Sequence, residues 1–419
     1  MGAALDQINL LILGLGFTGD KLLTDTINND RVKKIYAVRR SHSILNSQKE
    51  AYERRIERAK EKDPEKDVQF IPFCELSPDL IDNCDVVVNA IKQHKPEQEA
   101  TVQGSRFLIH QHNLSGIIEF AKLLAKTRKK ATVFMSSNLP EENAIITKYI
   151  AGYPDELLVS PILDSDRFYK SLRYWLGPNG VNHQEKILTA VRKIKKDKGH
   201  DLYQYVKDQS DEELSIENTL VSGVHHQPVY LFSQIKINGI PFPFLKEYNI
   251  LIDEEMTPLV RGILHNAPEK GFDQSYIGSY SGIEQNPSFI YDLLIDLLDN
   301  KTANVGCFSP SFGELTADIG YCIGTKGKFQ DGKFYPVPLE ELNPTGDERL
   351  DLTEEETEMI EQAKDLSKES FKELYNRAPN ITSVIKSYSD RPIDTSYSLL
   401  SKKEILEELS FIKNLVKNN

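Results

Sequence analysis

The sequence has few cysteines and no long hydrophobic run, and each of these absences excludes a class of protein. The 419 residues include only four cysteines, at positions 74, 84, 307 and 322, which have no metal-type spacing and are too few for a disulfide scaffold. No apolar segment is long enough to span a membrane, and the N-terminus lacks the basic and apolar regions of a signal peptide. We therefore expect a cytoplasmic protein with reduced thiols, no membrane partner and no metal site.

The sequence also has no excess of positive charge. Its formal net charge of −12 argues against binding to nucleic acid or to an anionic membrane surface. The charged fraction of 27% is ordinary for a globular protein, and the chain is long enough for two or three structural units.

The first 155 residues alternate between short apolar runs and helical patterns. Ile8 to Leu13 is a mostly apolar run that ends at a glycine, as a buried parallel strand does. Further strands are predicted at residues 34–38, 68–73, 85–90 and 131–136, and helices at 18–27, 47–62 and 114–127. This alternation predicts an α/β fold with a doubly wound parallel sheet of the Rossmann type over residues 1–155.

The rest of the chain has a different pattern. Residues 156–378 are predicted to form an α+β domain with antiparallel strands. The predicted strands are 220–224, 234–238, a strand at Cys307 and 318–325, and the predicted helices are 164–176, 182–196, 256–264 and 288–298. Thr353 and Glu356 have the spacing of a capping box at the start of another helix. Residues 379–419 are predicted to be a helical C-terminal extension that contains an amphipathic helix at 402–416.

Gly14, Gly16 and Gly19 stand directly between the first predicted strand and the first predicted helix. In a G-x-G-x-x-G motif the first glycine permits a tight turn, the second lets the backbone approach a pyrophosphate, and the third allows close packing of helix on strand. The start of the helix, at Phe17 and Thr18, adds N–H donors and a favourable dipole. In this context the motif predicts a dinucleotide site, and a purely structural glycine turn is the alternative.

Two arginines, Arg39 and Arg40, follow the second predicted strand. Folds of this type that prefer NAD place an acidic residue there to bind the 2′-hydroxyl of the ribose. An arginine can instead pair with a 2′-phosphate and stack on the adenine, which favours NADP over NAD. The alternative is that both are exposed surface arginines.

A second motif lies after the predicted sheet. The segment from Leu163 to Phe168 reads Leu-Asp-Ser-Asp-Arg-Phe and places Asp164 and Arg167 on one face of a helix. Further along the chain stands His225. An acid that orients an imidazole and an arginine that binds a carboxylate are suited to moving a hydride onto a 2-oxo acid. Taken alone, the stretch is only suggestive, because most Asp–Arg pairs at this spacing on helices are solvated ion pairs.

Several motifs follow one another along the chain. They are the glycine motif, the run from Ser105 to Asn113, the Ser-Ser-Asn-Leu-Pro segment around Asn138, the Leu163 to Phe168 segment and His225. The sequence resembles the lactate/malate dehydrogenase family over about residues 8 to 375, and Leu-Asp-Ser-x-Arg-Phe is the specific element. The resemblance implies an NAD- or NADP-dependent dehydrogenase that transfers a hydride between nicotinamide and a small 2-oxo or 2-hydroxy acid. It also implies a homodimer or homotetramer, and cofactor contacts by Asn113 and Asn138.

The resemblance implies a role for each residue of the catalytic set. Arg106 matches an arginine of a mobile loop that polarises the substrate carbonyl, and Asn138 matches an asparagine near nicotinamide and substrate. Arg167 matches the arginine that forms a bidentate pair with the substrate carboxylate. Asp164 matches the aspartate that orients the catalytic histidine, and His225 matches that histidine.

The sequence also departs from the family pattern. The family has Gly and Asp after its catalytic histidine, whereas this chain has His226 and Gln227, so His226 is an alternative proton donor. The malate enzymes have an arginine before Lys-Pro, where this chain has His94, and the interval that follows is longer. These changes leave the substrate side chain unassigned. They also keep open a catalytically altered relative that binds a dinucleotide or metabolite as a sensor or scaffold.

Overall fold

A computed structural model of the protein describes residues 6–39, 42–91, 106–137, 139–162, 183–224, 227–248, 288–307 and 322–337, with residues 165, 168, 169, 172, 173, 176, 250, 351–354, 356–362 and 365. The chain divides into two compact units. The first includes Met1–Pro161 and Pro287–Pro336, and the second includes Ile162–Asn286 and Val337–Ala363.

The described strands are β1 (Ile8–Leu13), β2 (Val32–Arg39), β3 (Asp67–Pro72), β4 (Val86–Asn89), β5 (Thr132–Met135), β6 (Leu158–Pro161), β7 (Ile216–Glu217), β8 (Val221–Val224), β9 (Gln227–Tyr230), β10 (Lys236–Ile237), β11 (Ile240–Pro241), β12 (Thr302–Cys307), β13 (Ile323–Gln330) and β14 (Lys333–Pro336). The described α-helices are α1 (Phe17–Ile27), α2 (His42–Lys62), α3 (Pro78–Asp82), α4 (Arg106–Ala125), α5 (Pro140–Ala151), α6 (His183–Lys196), α7 (Tyr203–Val206), α8 (Phe242–Glu247) and α9 (Phe289–Leu298).

The first unit is built on a nine-stranded sheet in the order β14-β13-β12-β6-β5-β4-β1-β2-β3. Strands β1 to β6 are mutually parallel. β12 pairs antiparallel with β6, β13 antiparallel with β12, and β14 antiparallel with β13. The side chains of β1 alternate between two buried clusters, so both faces of the sheet are covered by helices. Leu11 and Leu13 pack with α4 and α5, whereas Leu10 and Ile12 pack with α1, α2 and α9. The predicted α/β class with a doubly wound sheet is confirmed.

The antiparallel strands change the predicted division of the chain. Val305 pairs with Pro161 and Gly306 with Ser160, so β12 extends the first sheet. The hydroxyl of Thr132 in β5 also donates a hydrogen bond to the carbonyl of Gly332, in the turn between β13 and β14. Residues 287–336 therefore belong to the first unit, and not to a continuous domain over residues 156–378 as the sequence predicts.

The second unit has its own core. Residues 165, 168, 169, 172, 173 and 176 are helical, and Phe168, Leu172 and Leu176 are all fully buried at the four-residue spacing of one helix face. Strands β8 and β9 form an antiparallel hairpin, and β7, β10 and β11 form a three-stranded sheet. The predicted capping box is confirmed, because the Thr353 N–H donates to the Glu356 carboxylate at 3.0 Å and the Glu356 N–H donates to the Thr353 hydroxyl at 3.1 Å.

Several predicted elements differ from the structure. Strand β6 is absent from the prediction, and α4 begins at Arg106 rather than at residue 114. Residues 234–238, predicted as one strand, contain the end of a 3-10 helix (Phe232–Gln234) followed by β10. The predicted helices at 256–264 and 402–416 and the extension at 379–419 lie outside the described residues. No described helix is both long and apolar enough to cross a membrane.

Candidate functional site

The glycine loop joins the end of β1 to the start of α1 and has room for a ligand at one of its three glycines only. Gly14 has φ of +94°, and a Cβ there would lie 2.5 Å from the Ala90 carbonyl oxygen. A Cβ on Gly19 would lie 2.0 Å from the Gly14 carbonyl oxygen. At Gly16 a Cβ would meet nothing within 4 Å. Gly14 and Gly19 are therefore required by packing, whereas Gly16 faces open space that another molecule can enter.

The first turn of α1 supplies hydrogen-bond donors beside this open space. The first described helical bond runs from the Asp20 N–H to the Gly16 carbonyl at 2.8 Å. The N–H groups of Phe17, Thr18 and Gly19 precede it, so the helix itself provides no acceptors for them. These donors and the positive end of the helix dipole suit a phosphate oxygen.

The loop lies where the order of the strands reverses. From β1 the chain continues to β2 and β3 on one side, and it returns to β4, β5 and β6 on the other. In open α/β sheets ligands bind outside the carboxyl ends of the strands at such a point. The glycine loop is thus placed where a dinucleotide-binding sheet holds its ligand.

Asn89, the last residue of β4, brings a buried amide to the same edge of the sheet. Its Oδ1 accepts hydrogen bonds from the Ile91 N–H at 3.2 Å and the Ser137 hydroxyl at 3.1 Å. Since a main-chain N–H can only donate, these bonds fix which end of the amide is oxygen. The Nδ2 atom is buried and has no hydrogen-bond partner among the described residues. A buried donor of this kind is a candidate for a bound oxygen atom, from a ligand or from water.

Arg39, at the end of β2, is bonded within the protein. Its Nη2 donates to the Leu15 carbonyl at 2.9 Å and to the Tyr52 hydroxyl at 3.3 Å, and Tyr52 in turn donates to the carboxylate of Asp20. The side chain is half-buried and does not stand out as an exposed surface arginine. The described hydrogen bonds of Nη2 connect the end of β2 to the glycine loop and to α2, and they do not support the predicted NADP preference. Arg40 lies outside the described residues.

The structure therefore brings together six of the predicted cofactor residues. Five lie in the glycine loop and the start of α1, namely Gly14, Gly16, Phe17, Thr18 and Gly19, and the sixth, Arg39, bonds to the loop from the end of β2. Asn113 is buried in α4, with 1% of its surface exposed, and its cofactor contact stays a prediction. Arg106 is the first residue of α4 and does not lie in a loop, as the resemblance implies it would. The structure describes its backbone only.

The predicted substrate residues Asn138, Asp164, Arg167 and His225, together with His226, lie outside the described residues. In sequence, Asn138 stands between β5 and α5. Asp164 and Arg167 follow β6, and the two histidines stand between β8 and β9. Their roles stay predictions.

Two buried glutamates at the start of α5 are missing from the sequence prediction. Glu141 and Glu142 each have 1% of their surface exposed. The helix dipole favours carboxylates in this first turn, but burial raises the pKa of Glu142 to about 7. The Pro-Glu-Glu sequence indicates a helix start, and nothing local to it indicates burial. Among the described residues no group of three His, Cys, Asp or Glu side chains is arranged to hold a metal ion.

Tyr52 and Asp20 are also missing from the prediction, although Tyr52 has a detectable signal. It lies in the strongly charged helix α2, and together with Ile56 and Ala59 it follows helical spacing. Tyr52 and Ala59 are 4% and 3% exposed, so this spacing marks the face of α2 that packs on the sheet.

Comparisons with known proteins agree on the fold. No family model matches the sequence, and no curated protein matches it. The structure is similar to malate dehydrogenase from Cryptosporidium parvum, with a TM-score of 0.62 and 12% identity over 88% of this chain and 99% of that one. Lactate dehydrogenase from Eimeria maxima, solved with NADH and oxamate, matches with a TM-score of 0.60 and 14% identity over 90% of this chain and 95% of that one. Malate dehydrogenase from Plasmodium falciparum in complex with NADH matches with a TM-score of 0.55 and 12% identity over 88% and 99%. The chain has the fold of the lactate and malate dehydrogenases.

Proposed function

We propose that the chain is a divergent member of the lactate/malate dehydrogenase family, an oxidoreductase that transfers a hydride between a nicotinamide dinucleotide and a 2-oxo or 2-hydroxy acid. One observation carries the proposal: the glycine loop lies at the reversal point of a nine-stranded sheet and leaves open space only at Gly16. The order of the substrate motifs along the sequence supports it, as does the fold shared with enzymes solved with NADH.

The described residues fit a dinucleotide. Gly16 leaves room for a pyrophosphate, and the N–H groups of Phe17 and Thr18 would bind its oxygens. Asn89 would supply a further donor at the end of β4. When bound, the nicotinamide ring gives or accepts the hydride. Two of the similar structures were solved with NADH, and on this ground we propose NAD(H) for this chain.

The substrate end of the reaction is assigned to the residues that match the family motifs. Arg167 binds the substrate carboxylate through two parallel charge-assisted hydrogen bonds. His225 gives a proton to the carbonyl oxygen as the alcohol forms, and Asp164 orients the imidazole and stabilises its charged form. Arg106 stabilises the negative charge that develops on that oxygen, and Asn138 lies near nicotinamide and substrate.

The proposal is tested first by titrating the protein with NADH and NADPH and then by a panel of 2-oxo acids with the preferred nucleotide. We expect nucleotide binding and reduction of at least one oxo acid. Nucleotide binding without turnover on the whole panel would favour the sensor or scaffold, for which the His226-Gln227 sequence is the motivating departure. Absence of binding to both nucleotides would refute the proposal. Light scattering would test the homodimer or homotetramer that the resemblance implies.

Two substitutions then separate substrate binding from proton transfer. Arg167→Ala should raise KM by roughly a hundredfold or more, because two charge-assisted hydrogen bonds are lost. Arg173→Ala is the matched control, since Arg173 is an exposed arginine that follows Arg167 closely in the sequence. His225→Ala should retain nucleotide binding and lower kcat by roughly a hundredfold to ten-thousandfold. If His225→Ala kept near-normal turnover while His226→Ala lost it, the proton donor would be His226.

A further inference from the structure

Three side chains from three different elements converge behind the glycine loop. Arg39 is the last residue of β2, Tyr52 lies in α2, and Asp20 lies in the first turn of α1. We call Asp20, Arg39 and Tyr52 the loop-support cluster. Its hydrogen bonds run in a chain from the Asp20 carboxylate through the Tyr52 hydroxyl to the Arg39 guanidinium, and from there to the carbonyl of Leu15.

The loop is held from β2 at two consecutive residues. The N–H of Gly14 donates to the Val38 carbonyl at 3.0 Å, and the carbonyl of Leu15 accepts from Arg39 at 2.9 Å. Leu15 stands between Gly14 and the open position Gly16, and its side chain is 6% exposed. The peptide that leads to Gly16 is therefore fixed by main-chain and side-chain bonds from the same strand end.

Tyr52 is in turn fixed by its surroundings. It is 4% exposed, and its ring packs on Phe70 of β3 with the ring centroids 5.0 Å apart. Burial, together with the hydrogen bond to Asp20, raises the pKa of the Tyr52 phenol, so the hydroxyl keeps its proton and continues to donate. Among the described residues, the hydroxyl accepts a hydrogen bond from Arg39 and donates one to Asp20.

The cluster also controls charge beside the site. Asp20 is the only acidic residue in the first turn of α1, at the end of the helix that would face a phosphate. Unpaired, its carboxylate would repel a pyrophosphate. The Tyr52 hydroxyl binds this carboxylate, and the Arg39 guanidinium, which bonds to the same hydroxyl, offsets its charge.

We propose that Arg39 is a positioning residue of the nucleotide site: with Asp20 and Tyr52 it holds the glycine loop in the conformation that receives a dinucleotide, and it supports NADH and NADPH equally. This inference rests on the proposed function, and it differs from the prediction that an arginine at the end of β2 selects NADPH through its 2′-phosphate. The two roles predict different results for variants of the cluster: a positioning role weakens the binding of both nucleotides, whereas a 2′-phosphate role affects the binding of NADPH alone.

Tyr52→Phe is the informative variant, because it keeps the packed ring and Arg39 and removes only the linking hydroxyl. We expect the Kd for NADH and the Kd for NADPH both to rise by about fivefold, because the two hydrogen bonds of the hydroxyl are lost and the loop is held less firmly, with the ratio of the two Kd values unchanged. Arg39→Gln should weaken both nucleotides further and in parallel, and Arg39→Lys, which keeps the charge, should restore part of the affinity. The control is Tyr153→Phe in the same unit, where another buried tyrosine hydroxyl donates to the Ala131 carbonyl at 2.6 Å. That variant should leave both Kd values unchanged.

A loss of NADPH affinity alone in Arg39→Gln would overturn the proposal and restore the 2′-phosphate role. Hydrogen–deuterium exchange of the peptide that contains residues 14–19 provides a readout that needs no nucleotide. We expect its amides to exchange faster in Tyr52→Phe than in the unchanged protein or in Tyr153→Phe. If the unchanged protein bound neither nucleotide, the proposed function would fail, and this exchange measurement would still decide the positioning role. Unchanged exchange in Tyr52→Phe would refute it.

Discussion

Replacing Glu356 with alanine removes two hydrogen bonds that hold the second unit together. One carboxylate oxygen accepts from the Thr353 N–H at 3.0 Å and completes the capping box. The other accepts from the Ser233 N–H at 3.0 Å, in the 3-10 helix that follows β9. Glu356 and Ser233 are both 6% exposed, so water cannot readily replace the lost carboxylate.

The two contacts contribute differently to the free energy of unfolding. Loss of the capping interaction costs about 1 kcal/mol. Leaving the buried Ser233 N–H without an acceptor costs about 1–3 kcal/mol. We therefore expect Glu356→Ala to lower the free energy of unfolding by about 2–4 kcal/mol. Glu356→Gln, which retains one acceptor oxygen, should lie between alanine and the unchanged protein.

Urea-induced unfolding monitored by tryptophan fluorescence measures this change in the relevant unit. The single tryptophan, Trp175, falls within the range of the second unit, so its signal reports on that unit. Glu358→Ala is the matched control, because Glu358 is an exposed glutamate on the same helix, and it should shift the free energy by no more than about 0.5 kcal/mol. If Glu356→Ala behaved like Glu358→Ala, the Ser233 contact would contribute nothing and the reasoning would be wrong.

Two further predictions concern the first unit. Glu142→Gln should have a higher melting temperature than the unchanged protein at pH 8 and nearly the same melting temperature near pH 4.5. Burial raises the pKa of Glu142 from 4.5 to about 7, so the stability that protonated Glu142 contributes is complete at low pH and is lost as the pH rises through 7. This loss costs about 3 kcal/mol of the free energy of unfolding. A higher melting temperature for the unchanged protein at pH 8 would contradict the assigned burial. Gly19→Ala should destabilise the unit, because its Cβ would overlap the Gly14 carbonyl. Gly16→Ala should instead leave the melting temperature unchanged and weaken nucleotide binding, and equal melting temperatures for the two alanine variants would argue against the close approach of Gly19 to Gly14.

The parts of the fold that depend on local pattern could be predicted from the sequence. The apolar run at residues 8–13 and its three glycines predict β1, the loop and the start of α1, and all three are present. The capping box at Thr353 is equally local, because its two partners are three residues apart. In both cases a short segment contains all the information that its conformation requires.

The parts that depend on distant partners could not be predicted. β6 has only four residues and ends at Pro161, and its antiparallel neighbour β12 lies far along the chain, so its pairing leaves no local pattern. Arg39 shows the same limit at the site. Its position after β2 favours a nucleotide contact, but its bonds to Leu15 and Tyr52 come from neighbours in space that no spacing rule identifies.

Because β12 pairs with β6, the first sheet cannot be completed until a late stage of synthesis on the ribosome. The apolar cluster on one face of the first sheet includes Val88 and Phe134 from the early strands, and Leu294 and Phe329 from chain that is translated much later. Until residues 287–336 emerge, the nascent sheet has an unpaired edge at β6 and an incomplete core, which are the features that expose a chain to aggregation. The sheet of the first 161 residues therefore stays incomplete until residues 287–336 have been translated. During this interval a chaperone that covers exposed apolar surface would be of most use.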